Sequence, residues 1–588
     1  MGDNNKYIGF GQHTCVPEVA ESESFQIVDD VVLSTNDVIY TFGTSNQFYI
    51  QRDRFPHWTA PVVVFDDVDA MNNGQPSFYR QLVSADVDLT QPVEYNIAEL
   101  GLYAQAEFDL IKNVSAEVGL RWDGWIFGGD KPIANTALYN SGLTFRGSRL
   151  DNTNIIEDIN NFQPRLQLTW DLKGDKSNIL KFGTGVFVGP ITTQPISFIY
   201  TGDGVARQEL TFTDTESILA ATGDGNYADQ ANWISTRINT GDYALGAGSV
   251  SSVNVVDPNF QMPEIWKTSL SFTKFLTPSI KIGLSGFYNL TWNQMYYQDA
   301  NVSGSESSNP VDGREVVSPI TSDFGNVYVI TNADYTARYG SLVFDFQANI
   351  GKDGLMSLSL SRSKSFGGTS YTAGGDRSEF IANSYTNRAL DRATSFASGA
   401  GDKIVFVFAS PEFKGWNIGF NVIAARQRRF TLTTGGNPSS AGSTIDAAFI
   451  PSQTTYSGVT EADYQVLLAS VAPEVRSILD SYQNGIAPVN AGLQPWLTQT
   501  SASISKRISI ADKYGLTLRA DIFNVLNLIN HRAGYYRQVA VNNTRENTEQ
   551  VLQLFNWNGA TYDTESGVGR SRYEGQPYNI QFGIKVDF

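Results

Sequence analysis

Along this 588-residue chain, short connections alternate with long ones. Tight turns read as "LIKN" at 110–113, "KGDKS" at 173–177, "LTPS" at 276–279, "GKDG" at 351–354, "FKGW" at 413–416 and "ADKYG" at 511–515. Between them lie long, polar, Gly- and Ser-rich segments at 17–93, 128–160, 189–261, 298–325, 368–401, 432–494 and 531–575. A compact soluble domain rarely carries so many long loops, and rarely at every second connection. Whatever this chain folds into must keep its two ends very different.

The segments flanking those turns alternate apolar and polar residues. "AEVGLRWDGW" sets Val118, Leu120 and Trp122 against Glu117, Gly119, Arg121 and Asp123. "PRLQLTWDL" and "KIGLSGFYNL" repeat the scheme, and "MSLSLS" sets Met356, Leu358 and Leu360 against serines. The chain closes on "PYNIQFGIKVDF", where Ile580, Phe582, Ile584, Val586 and Phe588 alternate with Gln581, Gly583, Lys585 and Asp587. Side chains of a strand point to alternate faces, so each segment reads as a strand with one apolar and one polar side. About fourteen strands follow: near 6–16, 94–110, 113–127, 161–172, 178–188, 262–275, 279–297, 326–350, 354–367, 402–412, 415–431, 495–510, 514–530 and 576–588. An even number would start and finish the chain on the short-turn side.

Composition narrows the class. A net charge of −18 and no basic run argue against a nucleic-acid groove, which needs clustered Lys and Arg. The single cysteine, Cys15, excludes an internal disulfide framework and a multi-Cys metal site. No stretch of 18 apolar residues occurs, so no transmembrane helix is expected. A β-barrel crosses a membrane differently, with strands of about ten alternating residues, short periplasmic turns and long extracellular loops. The pattern therefore predicts an all-β, antiparallel transmembrane β-barrel. The opening "MGDNNKYIGFGQHT" lacks the basic and apolar regions of a signal peptide, so either the chain is cytoplasmic or its true start lies upstream.

Aromatics gather towards strand ends, with Trp122 and Trp125, and with Trp292, Tyr296 and Tyr297, as expected members of interfacial girdles. Within the long segment 432–494, "EADYQVLLASVAPEVRSILDSYQNG" places Val466, Leu467, Val471, Val475, Ile478, Leu479 and Tyr482 at near-helical spacing. Pro473 is suited to opening a second helix there.

Reactive constellations are absent from the sequence. His13, His57 and His531 are scattered, and no His-Glu-x-x-His, paired Cys or Gly-x-Ser-x-Gly occurs. Gly183 and Gly185 form a bare Gly-x-Gly with no helix after it, which reads as close strand packing. "FDDVDAMNNG" gathers Asp66, Asp67 and Asp69, oxygen donors that could hold Ca²⁺. Met71 stands where a calcium loop needs oxygen, so a solvated acidic loop is the better reading. No cofactor and no enzymatic activity are expected.

Several of these stretches together resemble the TonB-dependent outer-membrane receptors, and among them the Oar-like group. "ELGLYAQAEFDLIKNVSAEVGLRWD" (99–123) is similar to a hairpin of that family. So are "NNFQPRLQLTWDLKGDKSNILKFGTGVF" (160–187) and "DPNFQMPEIWKTSLSFTKFL" (257–276). "QPWLTQTSASISKRISIADKYGLTLRADIFNVLNLIN" (494–530) resembles its penultimate hairpin, with Phe523, Asn524, Asn527 and Asn530 in the strand-end motif. The terminal Tyr578, Ile580, Phe582, Ile584, Val586 and Phe588 resemble the signal read by the barrel assembly machinery, and the last strand would pair with the first to close the barrel.

The resemblance implies the C-terminal barrel portion of such a receptor, integral to the outer membrane of a Gram-negative bacterium. Residues 1–588 would form a partial barrel domain, with 1–93 as one strand plus a long extracellular loop. The family barrel has about 22 strands and a plugged lumen. Signal peptide, TonB box, plug and first strands are expected to lie outside this sequence. The implied function is uptake of a scarce ligand, driven by proton-motive force relayed through TonB. Partners would be outer-membrane lipid, the assembly machinery, TonB through the N-terminal region and an unidentified ligand, with no nucleic acid. The alternative is an outer-membrane adhesin or a secreted β-rich glycan-binding protein without energised transport.

Overall fold

The computed structural model describes residues 18–587 apart from 55–58, 85–86, 90, 130, 190–193, 224–226, 228, 245–251, 368–400, 427, 437, 439–445, 451–459, 512–513, 532–533, 542, 546–548, 558–561, 565–568 and 576. Fifteen strands form one antiparallel sheet in unbroken chain order. They are β1 (Val19–Ser34), β2 (Val38–Arg54), β3 (Val93–Ile111), β4 (Val114–Gly128) and β5 (Glu157–Asp171). Next come β6 (Asn178–Val188), β7 (Glu264–Thr277), β8 (Ile280–Trp292), β9 (Ala337–Ile350) and β10 (Gly354–Phe366). The sheet ends with β11 (Lys403–Ala409), β12 (Trp416–Arg426), β13 (Trp496–Ala511), β14 (Tyr514–Phe523) and β15 (Asn579–Asp587). Each strand pairs with its sequence neighbour, as a meander requires.

The count differs from the expected fourteen, and the difference lies at the start. Residues 19–54, expected within a long loop, form the β1–β2 hairpin. Its pattern is blurred because Asp29 shares a face with Phe25, Ile27, Val31 and Leu33, while Val28 and Val32 occupy the other. The turn is closed by Thr35, whose Oγ1 donates to the Val38 carbonyl at 2.9 Å and accepts from its N–H at 3.0 Å. The strand expected over 6–16 lies outside the described residues. Among the described residues β1 pairs with β2 alone and β15 with β14 alone, so the expected closing pair is not seen.

Register carries the alternation across the whole sheet. One apolar row runs Val31, Phe42, Ala104, Leu120, Pro164 through β1 to β5. Another runs Leu284, Phe344, Leu360, Ile404, and a third Ile504, Ala520, Phe582. The opposite face is mostly polar, for example Ser271, Ser285, Ser361 and Lys403 in the row that crosses β7 to β11, with Val343 as its apolar member. The apolar side chains are exposed: Leu342 is 62% accessible and Phe582 79%. Scattered apolar exposure is ordinary, but a contiguous apolar face this large marks a surface covered by something other than water.

All long connections lie at one end, and there the protein builds its buried core. Residues 62–64 and 78–83, from the β2–β3 connection, form a small sheet with 208–212 from β6–β7. Val253–Val256 pairs in parallel with Val327–Asn332, joining the β6–β7 connection to β8–β9. Phe430–Gly435 pairs in parallel with residues 550–556, joining β12–β13 to β14–β15. A cross-tie adds Arg314, whose Nε donates to Asp312 at 2.6 Å while its terminal nitrogen donates to the Ala447 carbonyl at 3.2 Å. The expected helical stretch is two helices, Glu461–Ser470 and Pro473–Ser481, with Pro473 at the start of the second. Leu467, Val475, Ile478 and Leu479 face a core shared with Phe430, Leu552 and Phe555.

Several expected strands therefore run on past the sheet. The one expected over 279–297 is β8 followed by a separate strand, Met295–Asp299, and 326–350 divides into Val327–Asn332 and β9. Two interruptions have local causes. Asn293 adopts a left-handed φ of 54° between β8 and the Met295 strand. Asn524, at φ 53°, ends β14 and starts a one-turn helix, Val525–Ile529. Asn tolerates that conformation better than most residues.

Candidate functional site

The most structured polar region is a belt across the polar face of β1 to β7, which starts near the short-turn end of β1 and reaches the loop-side ends of β6 and β7. It begins with the Tyr103 hydroxyl, which donates to Asp30 across Gly43. The Arg121 guanidinium sits over the Tyr103 ring at 5.7 Å and pairs with Asp123, Nε donating to Oδ2 at 3.0 Å. Gln163 Nε2 donates to the same Asp123 carboxylate. Its Oε1 accepts from Arg165 at 3.2 Å and from the Val188 backbone N–H at 3.2 Å. Arg165 and Lys267 both lie over the Phe187 ring, at 4.5 and 5.0 Å.

The sequence builds this belt by simple means. Alternation in β4 and β5 puts Arg121, Asp123, Gln163 and Arg165 on the polar side while Leu120, Trp122, Phe162 and Leu166 occupy the other. Gly101 makes room for the pair on the adjacent strand. A Cβ there would stand 2.5 Å from an Arg121 nitrogen, 2.8 Å from Asp123 and 2.9 Å from the Ser45 carbonyl. Asp123 and Gln163 are buried, so their mutual hydrogen bonds hold the belt at fixed positions. Above the belt the Tyr95 hydroxyl donates to Asp53 at 2.6 Å, and its ring stacks on Tyr200 of the β6–β7 connection at 5.4 Å. Met262 N–H donates to Asp158 at 2.7 Å, joining the same connection to β5. The loop core thus rests directly on the belt.

Chemically, the belt offers guanidinium, ammonium, carboxylate, amide and aromatic groups on one wall. Such a wall can hold a polar ligand by hydrogen bonds and ion pairs. In the loop core, burial pushes the Asp299 carboxyl above the ordinary carboxylate range. Hydrogen bonds from the Asn301 and Val327 N–H groups, both at 2.9 Å, and from the Asn326 amide pull it partly back.

The sequence-expected residues are placed as follows. Trp122 stands on the apolar face, its Nε1 donating to the Ile159 carbonyl at 2.7 Å, and Trp292 is bonded to Glu264 at the loop-side rim of that face. Trp125, Tyr296 and Tyr297, expected in a girdle, are buried instead of standing on the apolar face. They are 4–6% accessible, and Trp125 and Tyr297 pack in the loop core with Tyr95 and Phe127. Trp125 falls on the polar face, two residues on from Asp123, and the two tyrosines lie beyond the sheet.

Asp67 caps the helix Val68–Asn72, accepting from Ala70 N–H at 2.7 Å, while Asp66 and Asp69 are exposed. Among the described residues no group of three His, Cys, Asp or Glu side chains comes together, these three included. In the strand-end motif, Asn527 is buried. Its Nδ2 donates to the His531 carbonyl at 2.8 Å and its Oδ1 accepts from Tyr578 N–H at 3.1 Å, so it ties both ends of the β14–β15 connection together. Phe523 ends β14, and Asn530 caps the one-turn helix. Ile580, Phe582, Ile584 and Val586 all lie on the apolar face of β15; Tyr578 precedes it, and Phe588 lies outside the described residues.

Sequence reasoning singled out none of the belt residues as a site. Arg121 and Asp123 did lie in the Gly-Leu-Arg-x-Asp stretch that carries the resemblance. Their signal is polar groups concentrated near the long-loop ends of adjacent strands, visible only once the strands are in register.

A family model described as "Outer membrane beta barrel domain" matches residues 4–550. No curated protein matches the sequence. Similar solved structures include the outer membrane transporter YddB from Escherichia coli, at 10% identity and TM-score 0.43, covering 96% of this chain and 53% of that one. The ferric enterobactin receptor PfeA of Pseudomonas aeruginosa, in complex with enterobactin, is 9% identical with TM-score 0.46, covering 96% and 54%. The copper transporter OprC is 11% identical with TM-score 0.42, covering 96% and 58%. The chain thus spans little more than half the length of these structures.

Proposed function

Because this chain belongs to the outer membrane beta barrel domain family, we propose that it is the barrel portion of a TonB-dependent transporter of the Oar-like group, importing a scarce polar ligand. The observation that carries this reading is the mixed-charge belt from Asp30 to Lys267, set on the face opposite the lipid and reaching the ordered loops at its Gln163–Lys267 end. A ligand caught by the loops would meet that wall next. The apolar face supplies the contact with outer-membrane lipid, and β15 the strand offered to the assembly machinery. TonB would act through a plug held inside the barrel, since the outer membrane has no ATP of its own.

In this proposal the fifteen strands belong to a larger barrel of about 22. Support comes from the two edges, where unsatisfied backbone groups in lipid would cost several kcal/mol each. Sequencing the DNA upstream of the Met1 codon tests the proposal. An in-frame segment encoding a plug, a TonB-contacting box and further alternating strands is expected. A promoter and start codon at Met1, with no plug encoded nearby, overturns energised import and leaves an adhesin-like barrel.

A further inference from the structure

The lipid-facing surface carries one feature that neither transport nor barrel closure uses. Across β7 to β10 an elongated groove of about 520 Å³ lies open on the apolar face. Register places Leu270, Gly286, Leu342 and Arg362 in one row, and Thr268, Tyr288, Gly340 and Lys364 in the next. Gly286 and Gly340 create the groove by leaving out side chains where flanking positions carry leucine or tyrosine. A Cβ added at Gly286 would meet the Leu342 side chain at 3.6 Å and the Leu270 carbonyl at 4.0 Å, and one at Gly340 the Tyr288 ring at 3.9 Å, all ordinary contacts, so the space is open and neither backbone needs glycine.

The groove ends in positive charge. Arg362 and Lys364 line it, and Arg338 stands on the same face one strand over, level with Phe366. Among the described residues, nearby acids do not cancel them. Asp402 approaches Arg362 at only 3.9 Å with the arginine side chain 74% exposed, a weak pair, and Glu264 is taken up by Trp292. The long connections mark this end as extracellular. Arg362 stands about nine residues beyond the turn that opens β10. At about 3.3 Å per residue and roughly 40° of tilt, that is about 23 Å, near the top of an apolar band about 25 Å tall. The three cations therefore sit at the headgroup level of the outer leaflet, where lipid phosphates are. They spread over roughly 10–14 Å, more than a single phosphate can span.

We propose that this groove is a binding site for the diphosphorylated glycolipid of the outer leaflet, lipid A, with one acyl chain over Gly286 and Gly340 and the phosphates on Arg338, Arg362 and Lys364. Arg offers a planar fork and Lys a point charge, both suited to phosphate oxygens. The site faces away from the belt, so it stands whether or not the barrel imports anything.

Native mass spectrometry of the detergent-solubilised protein, titrated with diphosphorylated lipid A, monophosphorylated lipid A and phosphatidylglycerol, tests it. One or more lipid A adducts that outcompete phosphatidylglycerol at least tenfold are expected, with the monophosphorylated form in between. Arg362→Gln with Lys364→Gln should weaken lipid A at least tenfold. Gly286→Leu should do the same by filling the groove, with all charges kept. Heat-modifiable migration on a gel checks that each variant is folded. Absence of adducts, equal binding of phosphatidylglycerol, or wild-type binding by both folded variants overturns the site.

Discussion

The fifteen-stranded sheet and the layer of connecting loops bury their apolar residues by opposite rules. In the sheet, large apolar side chains such as Phe582, Leu342 and Val31 are exposed on one face, and polar side chains such as Asp123 and Gln163 are buried on the other. In the loop layer the order is that of a water-soluble protein, with Phe430, Leu552, Tyr79 and Ile330 fully buried. One chain thus folds for two solvents, and the belt meets that boundary at its Gln163–Lys267 end. Backbone pairing dominates the sheet, because lipid offers no hydrogen bonds and every strand group must find its own partner. Packing dominates the loops, where each fully buried Leu, Ile or Phe contributes about 1.5–3 kcal/mol.

The two regions should therefore fail separately. Phe430→Ala removes a fully buried ring from the core shared by the β12–β13 and β14–β15 connections, at a cost of about 3–5 kcal/mol. Proteolysis should then cut those connections, while the protein keeps its heat-modifiable migration as a folded barrel. Loss of that migration would show that loops and sheet fold as one unit. The converse variant is Phe344→Arg, at the middle of the apolar face of β9. It should destabilise the sheet by about 2–4 kcal/mol in urea unfolding from lipid vesicles. An unchanged midpoint would mean that this face does not meet lipid.

The same division explains what could be read from the sequence. Strands β3 to β15 were legible because lipid on one side and a polar interior on the other enforce a period of two, as in Met356-Ser-Leu-Ser-Leu-Ser361. β1 and β2 were not, because Asp29 and Val28 break that period and the Thr35 turn resembles any polar loop. The helices at 461–481 showed a period near 3.6, whereas the capping box of Thr460 with Asp463 is known only from the structure. The pairing between loops was invisible. Residues 253–256 and 327–332, or 430–435 and 550–556, meet across more than 70 residues, and no local pattern carries such a match. For the same reason Trp125, Tyr296 and Tyr297 read as girdle residues: an aromatic near a strand end looks alike whether it meets headgroups or a loop core.

Asn527 tests the seam between the two regions. Its amide bridges His531 and Tyr578, holding together the places where a long connection leaves the sheet and returns. Asn527→Ala leaves a carbonyl and an N–H without that partner, at a cost of about 1–3 kcal/mol. Faster hydrogen exchange is expected at Tyr578 and in the loop-side half of β15, with the turn-side half unchanged. Uniform acceleration along β15 would instead point to a weakened sheet edge.

The smallest effect concerns pH. Asp299 is buried in the loop core, and burial holds its carboxyl above the ordinary range. Between the unfolded value, about 4, and that higher folded value, the folded loops bind the extra proton. Stability therefore falls as pH rises through this interval, and the contribution of Asp299 is most favourable below it. Asp299→Asn keeps an acceptor for the Asn301 and Val327 N–H groups but cannot ionise. Loop-core melting, followed by tryptophan fluorescence at pH 4 and pH 7, should show a smaller difference in the variant than in the parent. The change should leave urea unfolding of the sheet untouched, because Asp299 lies beyond the last residue of β8 and faces only loop residues. An equal pH response in both proteins would place the titration elsewhere.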